Sequence, residues 1–169
     1  MKKFLLILII LTLASCSFFS LKTYAEAASE SQKEVISEYC NTIKQSLKTI
    51  QYFDVDNRVK LGSKYETALS KFMTPFNVRA VKNNLLPSEL TDLQKKFAEQ
   101  KTTFAADFTT YSKQLEELIA VDCQKDPSSF YDKLLNTREA REKVKQDTTN
   151  LNNILRKYKE IVVGIGEKL

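Results

Sequence analysis

The chain has 169 residues, with 26 Lys and Arg, 21 Asp and Glu, no His and a formal net charge of +5. That length holds one domain or two small ones, and three Gly with three Pro cannot supply the frequent turns of a sandwich or barrel. Lack of His removes the commonest general base and metal ligand, and so few glycines exclude a phosphate-cradling loop. The composition therefore predicts an all-α chain that is not an enzyme and carries no cofactor or metal.

Residues 1–25 read as an export segment. Met1-Lys2-Lys3 is a basic start, and Phe4 to Ala14 is an uncharged apolar run, the pattern of a secretory signal peptide. Leu13-Ala14-Ser15-Cys16 resembles the lipobox of bacterial lipoproteins, which makes Cys16 a candidate lipidation site. Thr23-Tyr24-Ala25, before Glu26, instead fits ordinary signal peptidase. An uncleaved anchor is the third option, because the 18 residues from Phe4 to Leu21 nearly span a bilayer. Each option places residues 26–169 outside the cytoplasm, touching membrane only through the N-terminal segment.

Export also changes the meaning of the charge. From Glu26 onward 23 cations face 21 acids, a net +2. Signs alternate, as in Lys143-Val144-Lys145-Gln146-Asp147, which reads as a solvated helix face and not as a nucleic-acid patch.

Three long amphipathic helices follow. Ile36, Cys40, Ile43, Leu47 and Ile50 recur at helical steps, and the stripe continues through Phe53, Asn57, Leu61, Tyr65, Leu69, Phe72 and Phe76. Helix 1 is expected over about 30–74, ended or kinked by Pro75. Residues 77–87 read as a turn region, and Pro87 suits the first turn of helix 2. Helix 2, about 88–123, carries Leu90, Phe97, Phe104, Tyr111 and Leu118 at heptad spacing. Asp126-Pro127 starts helix 3, about 128–163, as cap and first helical residue. Its stripe includes Phe130, Leu134, Thr137, Arg141, Val144, Thr148, Leu151, Leu155 and Tyr158, and Gly164 and Gly166 are expected to fray its end. The short links predict an elongated antiparallel three-helix bundle with coiled-coil-like packing.

The alternative is a four-helix bundle with a turn near residues 54–57. In that arrangement Cys40 and Cys123 lie tens of ångströms apart in height, beyond the reach of a disulfide. One continuous first helix brings them level. A bonded pair in an exported protein then staples helix 1 to the corner between helices 2 and 3. The competing reading keeps Cys40 as a free core cysteine. No CxxC pair supports redox catalysis.

Three features carry a resemblance. They are Cys40-x2-Ile43 opening a long helix, Phe108 to Tyr111 with Leu115 and then Cys123, and the segment Phe130 to Tyr158. Together they resemble small exported helical proteins of candidate-phyla bacteria, the Saccharibacteria and their relatives. The resemblance implies paired cysteines, a three-helix build and an envelope location. It implies no activity.

Other constellations are weaker. Asp54-Val55-Asp56 opens like a calcium loop, but Arg58 and Val59 break the pattern. Asn57, Lys101, Arg141 and Thr148 place polar groups on the seams, either as a register-fixing layer in which Arg141 pairs with Asp107, or as a wet, splayed stretch. Tyr52, Tyr65, Tyr111, Tyr131 and Tyr158 read as the edge of a core with hydroxyls reaching water, or as a binding surface for glycan or peptide. The carboxylates Glu116-Glu117 and Glu139 with Glu142 lack the water-excluding cleft that acid–base work needs.

The function expected is a non-catalytic envelope or cell-surface spacer, scaffold or interaction partner, its own partner being an unidentified protein or envelope component. A periplasmic or surface holdase-type chaperone is the alternative. The sequence leaves the oligomeric state open.

Overall fold

In the computed structural model, which describes residues 27–85 and 88–167, the chain folds entirely into helices and their links. We label them α1 (Glu30–Glu38), α2 (Cys40–Thr67), α3 (Thr74–Lys82), α4 (Ser88–Ala120) and α5 (Pro127–Gly166). A π-helical stretch, Ala68–Met73, joins α2 to α3. There is no strand among the described residues. The predicted export segment, with Cys16, and Pro87 lie outside the described residues.

α1 starts with a capping box: Ser29 Oγ accepts from the Gln32 N–H and Gln32 Oε1 accepts from the Ser29 N–H. Tyr39 interrupts regular geometry between α1 and α2, with φ −99° and ψ 16°. The backbone ladder still passes through it, because the Tyr39 N–H donates to Val35 O and the Ile43 N–H donates to Tyr39 O. Residues 30–82 thus form one arm, roughly 80 Å long at the helical rise. Residues 54–57 lie within α2, which excludes the four-helix alternative.

Pro75 does not end this arm. The Thr74 N–H bonds to Leu69 O, five residues back, and Pro75 then sits in the first turn of α3. A proline ring clashes with the carbonyl of an ordinary α-turn and offers no N–H. The wider π-turn before it relieves the clash and leaves no N–H missed. Helix 1 therefore runs to Lys82, beyond the expected stop near residue 74. It ends in a Schellman motif: the Leu85 N–H bonds Ala80 O, the Asn84 N–H bonds Val81 O, and Asn84 takes φ 54°.

The π-turn also shifts the buried stripe. It inserts one residue into a turn, so the seam passes from Tyr65 to Met73, Asn77 and Ala80. Phe72, expected on the stripe, is 66% exposed; Phe53, well before the π-turn, is exposed because the arm stands off the hairpin there.

α4 stops at Ala120, three residues short of the expected end, and the loop to Asp126 carries Cys123. Asp126 caps α5 by accepting from the Ser129 N–H at 3.0 Å, with Pro127 as the first helical residue. α5 runs on through Gly164 and Gly166, where fraying was expected.

α4 and α5 form a close antiparallel hairpin, and the first arm lies mainly along α4. No α2 Cα approaches an α5 Cα within 8 Å. Two cores result. The base core gathers Ile36, Cys40, Leu47, Tyr111, Leu118 and Phe130. The distal core gathers Tyr65, Met73, Leu90, Phe97, Leu151 and Tyr158. Between Leu47 and Tyr65 the first arm buries no residue.

Candidate functional site

At the base, the Cys40 and Cys123 sulfurs are 1.96 Å apart, at disulfide distance, with Cα atoms separated by 5.6 Å. Both cysteines are buried in the base core. Two hydrogen bonds flank them: Ser37 Oγ donates to Gln124 O, and Lys44 Nζ donates to Val121 O. The loop after α4 is therefore fastened to the first arm at three successive points.

Above the base core the missing buried residues of α2 leave a cleft of about 500 Å³. Its floor is apolar, from Leu61 on α2, Phe104 and Phe108 on α4 and Val144 on α5. Its rim is charged. α2 contributes Asp54 and Arg58, and α5 contributes Arg138, Arg141, Glu142 and Lys145. The separation of α2 from α5 creates this space, because only long side chains cross it.

The principal crossing is Asp54 to Arg141. Arg141 Nε donates to Asp54 Oδ2 at 3.0 Å and Nη2 donates to Asp54 Oδ1 at 3.1 Å, a bidentate pair. Tyr111 Oη also donates to Asp54 Oδ2, at 2.6 Å. Asp54 is only 18% exposed at its side chain, whereas Arg141 is 55% exposed. Burial first, then the Asp54 carboxylate, pushes the Tyr111 hydroxyl pKa far above that of an ordinary tyrosine. The same hydrogen bonds to Asp54 raise the pKa of Arg141.

The expected Arg141–Asp107 pair is thus corrected to Arg141–Asp54. Height along α4 suggested Asp107, but Arg141 points across the cleft toward α2. Asn57, Arg141 and Thr148 all line this cleft, while Lys101 pairs with Glu66. The splayed reading describes this stretch better than a buried polar layer does.

Asp54 serves the ion pair, Asp56 pairs with Lys60, and the described residues contain no cluster of three metal-ligating side chains. Glu117, Glu139 and Glu142 meet Lys133, Lys143 and Lys145 on exposed or half-exposed faces. Tyr65, Tyr111 and Tyr158 are buried, Tyr131 is half-buried and Tyr52 is exposed. The expectation that tyrosine hydroxyls reach water fails for Tyr111 and Tyr158, which bond inside the bundle.

Two polar arrangements escaped the sequence. Near the tip Tyr158 Oη donates to Asn77 Oδ1 at 2.6 Å, and Asn77 Nδ2 donates to Gln94 Oε1 at 2.6 Å. Gln94 Nε2 donates onward to Thr74 Oγ1 at 2.9 Å. This chain ties the three arms together beside the π-turn, and burial pushes the Tyr158 hydroxyl pKa up to about 12. In the α4–α5 seam Asp147 is buried, with Oδ1 accepting from Gln100 Nε2 at 2.7 Å. Burial and the neighbouring Asp107 carboxylate raise its pKa. The run 143–147, read as a solvated face, therefore hides a core acid. The phase of Leu151 and Val144 was the available signal for it.

No known protein family, curated protein or solved structure matches this chain. No helix among the described residues is long and apolar enough to cross a membrane.

Proposed function

We propose that this chain is a non-catalytic exported helical protein of the cell envelope or surface, acting as a spacer, scaffold or interaction partner. The observation that carries this reading is the first arm. One helical run from Glu30 to Lys82 begins just after the predicted export segment, and Cys123 fastens it at Cys40. Such an arm sets a distance between whatever holds its N-terminal side and the tip near Asn84.

Placement of the two sulfurs supports a compartment that oxidises thiols. Processing at Cys16 with lipid, cleavage after Ala25, or retention of the whole segment each suits a spacer. The full chain, produced in a bacterial host, should be cut by protease added outside the cytoplasmic membrane. Its Cys40 and Cys123 should react with a maleimide only after reduction. A chain protected inside the cytoplasm with two free thiols would overturn the proposal.

A second reading, a holdase, is favoured by Tyr52, Val55 and Val59, which are exposed on one face of α2 at helical steps. Excess protein should then suppress aggregation of a heat-denatured client enzyme. Failure at several-fold excess removes this reading and leaves the first untouched.

A further inference from the structure

We propose that the mid-bundle cleft binds an amphipathic anion: an aliphatic or aromatic body ending in a carboxylate. A spacer needs no such site, so the inference goes beyond the function proposed above.

The size is right for a small molecule. About 500 Å³ lies within the range of ordinary ligand pockets, which are typically apolar with a few placed polar groups. Here Leu61 and Val144, both half-buried, offer apolar surface in the cleft beside the nearly buried rings of Phe104 and Phe108. Filling it with hydrocarbon removes that surface from water, the term that drives binding of an alkyl or aryl body.

The charges select the head group. Both acids of the rim are already engaged. Asp54 is held by Arg141 and Tyr111, and Glu142 is held by Lys145. Arg58 and Arg138 belong to no ion pair among the described residues. The rim thus presents two guanidinium groups without a carboxylate in direct contact, on opposite walls. Arg58 Cζ lies over the Phe108 ring, 5.6 Å from its centroid, so its cation stands on that part of the floor. A carboxylate there pairs with guanidinium in the planar geometry that arginine favours. A cationic head meets repulsion from the same groups.

The site is also pre-formed. The Asp54–Arg141 pair and the Tyr111 hydroxyl hold α2 at its distance from α5. The ligand therefore does not have to open the bundle.

The test uses the full chain with 13C-labelled phenylalanine, titrated with octanoate, octyltrimethylammonium and acetate. Octanoate should shift the Phe104 and Phe108 resonances saturably. It should bind at least tenfold more tightly than either of the others. The double variant Arg58→Gln with Arg138→Gln should weaken octanoate at least tenfold without changing the thermal melt. If that variant melts early, Arg138→Gln alone should still cost several-fold. Separately, Leu61→Gln should weaken octanoate while leaving acetate unchanged. Equal binding of the cationic and anionic amphiphiles would overturn the proposal, as would equal binding of acetate and octanoate. Saturable shifts confined to phenylalanines elsewhere would do the same.

Discussion

The two ends of the bundle hold the same arm against the same hairpin by different means. At the base, Cys40 and Cys123 sit at bonding distance inside an apolar core, and two side-chain-to-backbone hydrogen bonds flank them. At the distal end packing and a polar chain that starts from the buried Tyr158 and Asn77 do the work. Tyr65 meets Phe97 and Phe104 edge-on at 6.0 and 5.7 Å, and Asn77 links Tyr158 to Gln94. Between them the arm stands off, bridged by Asp54 and Arg141. A long arm can thus be fixed firmly at two places and leave a usable gap in the middle.

The strongest way to break this contrast is Cys40→Ser. Cys40 and Cys123 are 83 residues apart in sequence, so losing their bond should cost about 4.5 kcal/mol on the chain-entropy view. Chemical denaturation with and without reductant measures it. Hydrogen exchange should rise first in α1 and the lower part of α2, with α3 least affected.

Phe97→Ala attacks the other end. Phe97 is fully buried, and such truncations typically cost about 3–5 kcal/mol. Exchange should now rise in α3 and the tip of α5, while the base stays protected. A uniform rise in both variants would mean the two ends are one cooperative unit.

The bridge comes next. Asp54→Ala leaves the Tyr111 hydroxyl buried without its acceptor and strands Arg141, a loss of about 2 kcal/mol. Tyrosine absorbance should register it too, because Tyr111 then loses the carboxylate that helps raise its pKa. Gly62→Ala acts in the opposite direction. A Cβ there meets nothing within 4 Å, so helix propensity alone should add about 1 kcal/mol.

The smallest effect tests the seam acid. Asp147 has a folded pKa raised above its ordinary 3.8, so the folded state holds this proton more tightly than the unfolded one. Its contribution is therefore favourable at low pH and is lost as pH rises from about 4 through the raised folded value. Asp147→Asn should flatten that decline in denaturation curves taken between pH 3 and 7, with the base and distal ends responding alike.

Much of the fold could be read from residues alone. The helical stripes, the Asp126-Pro127 start and the levelling of Cys40 with Cys123 all rest on local periodicity and simple rise, which the chain writes openly. The π-turn was hidden because its stability depends on Pro75 and on which residue best fills the distal core. Met73 displaced Phe72 through a choice made by tertiary packing. The cleft was half visible, as polar residues on a seam. Its closing contact was not, since helical height offered Arg141 an acid on either of two helices and only the three-dimensional spacing selects Asp54. Asp147 was hidden by its charged neighbours, which face water while it does not.

The cysteine pair has a mechanical consequence. Suppose tension acts between residue 27 and the far end of α5. The load enters through α1, crosses from Cys40 to Cys123 over 5.6 Å between Cα atoms, and continues into α5. The stretch between them, a sequence separation of 83, lies off that path, and with it roughly 290 Å of extensible chain. α2, α3 and α4 are then passengers under force. The α2 and α4 walls of the cleft would keep their shape while the protein bears a pull that would otherwise peel the first arm away.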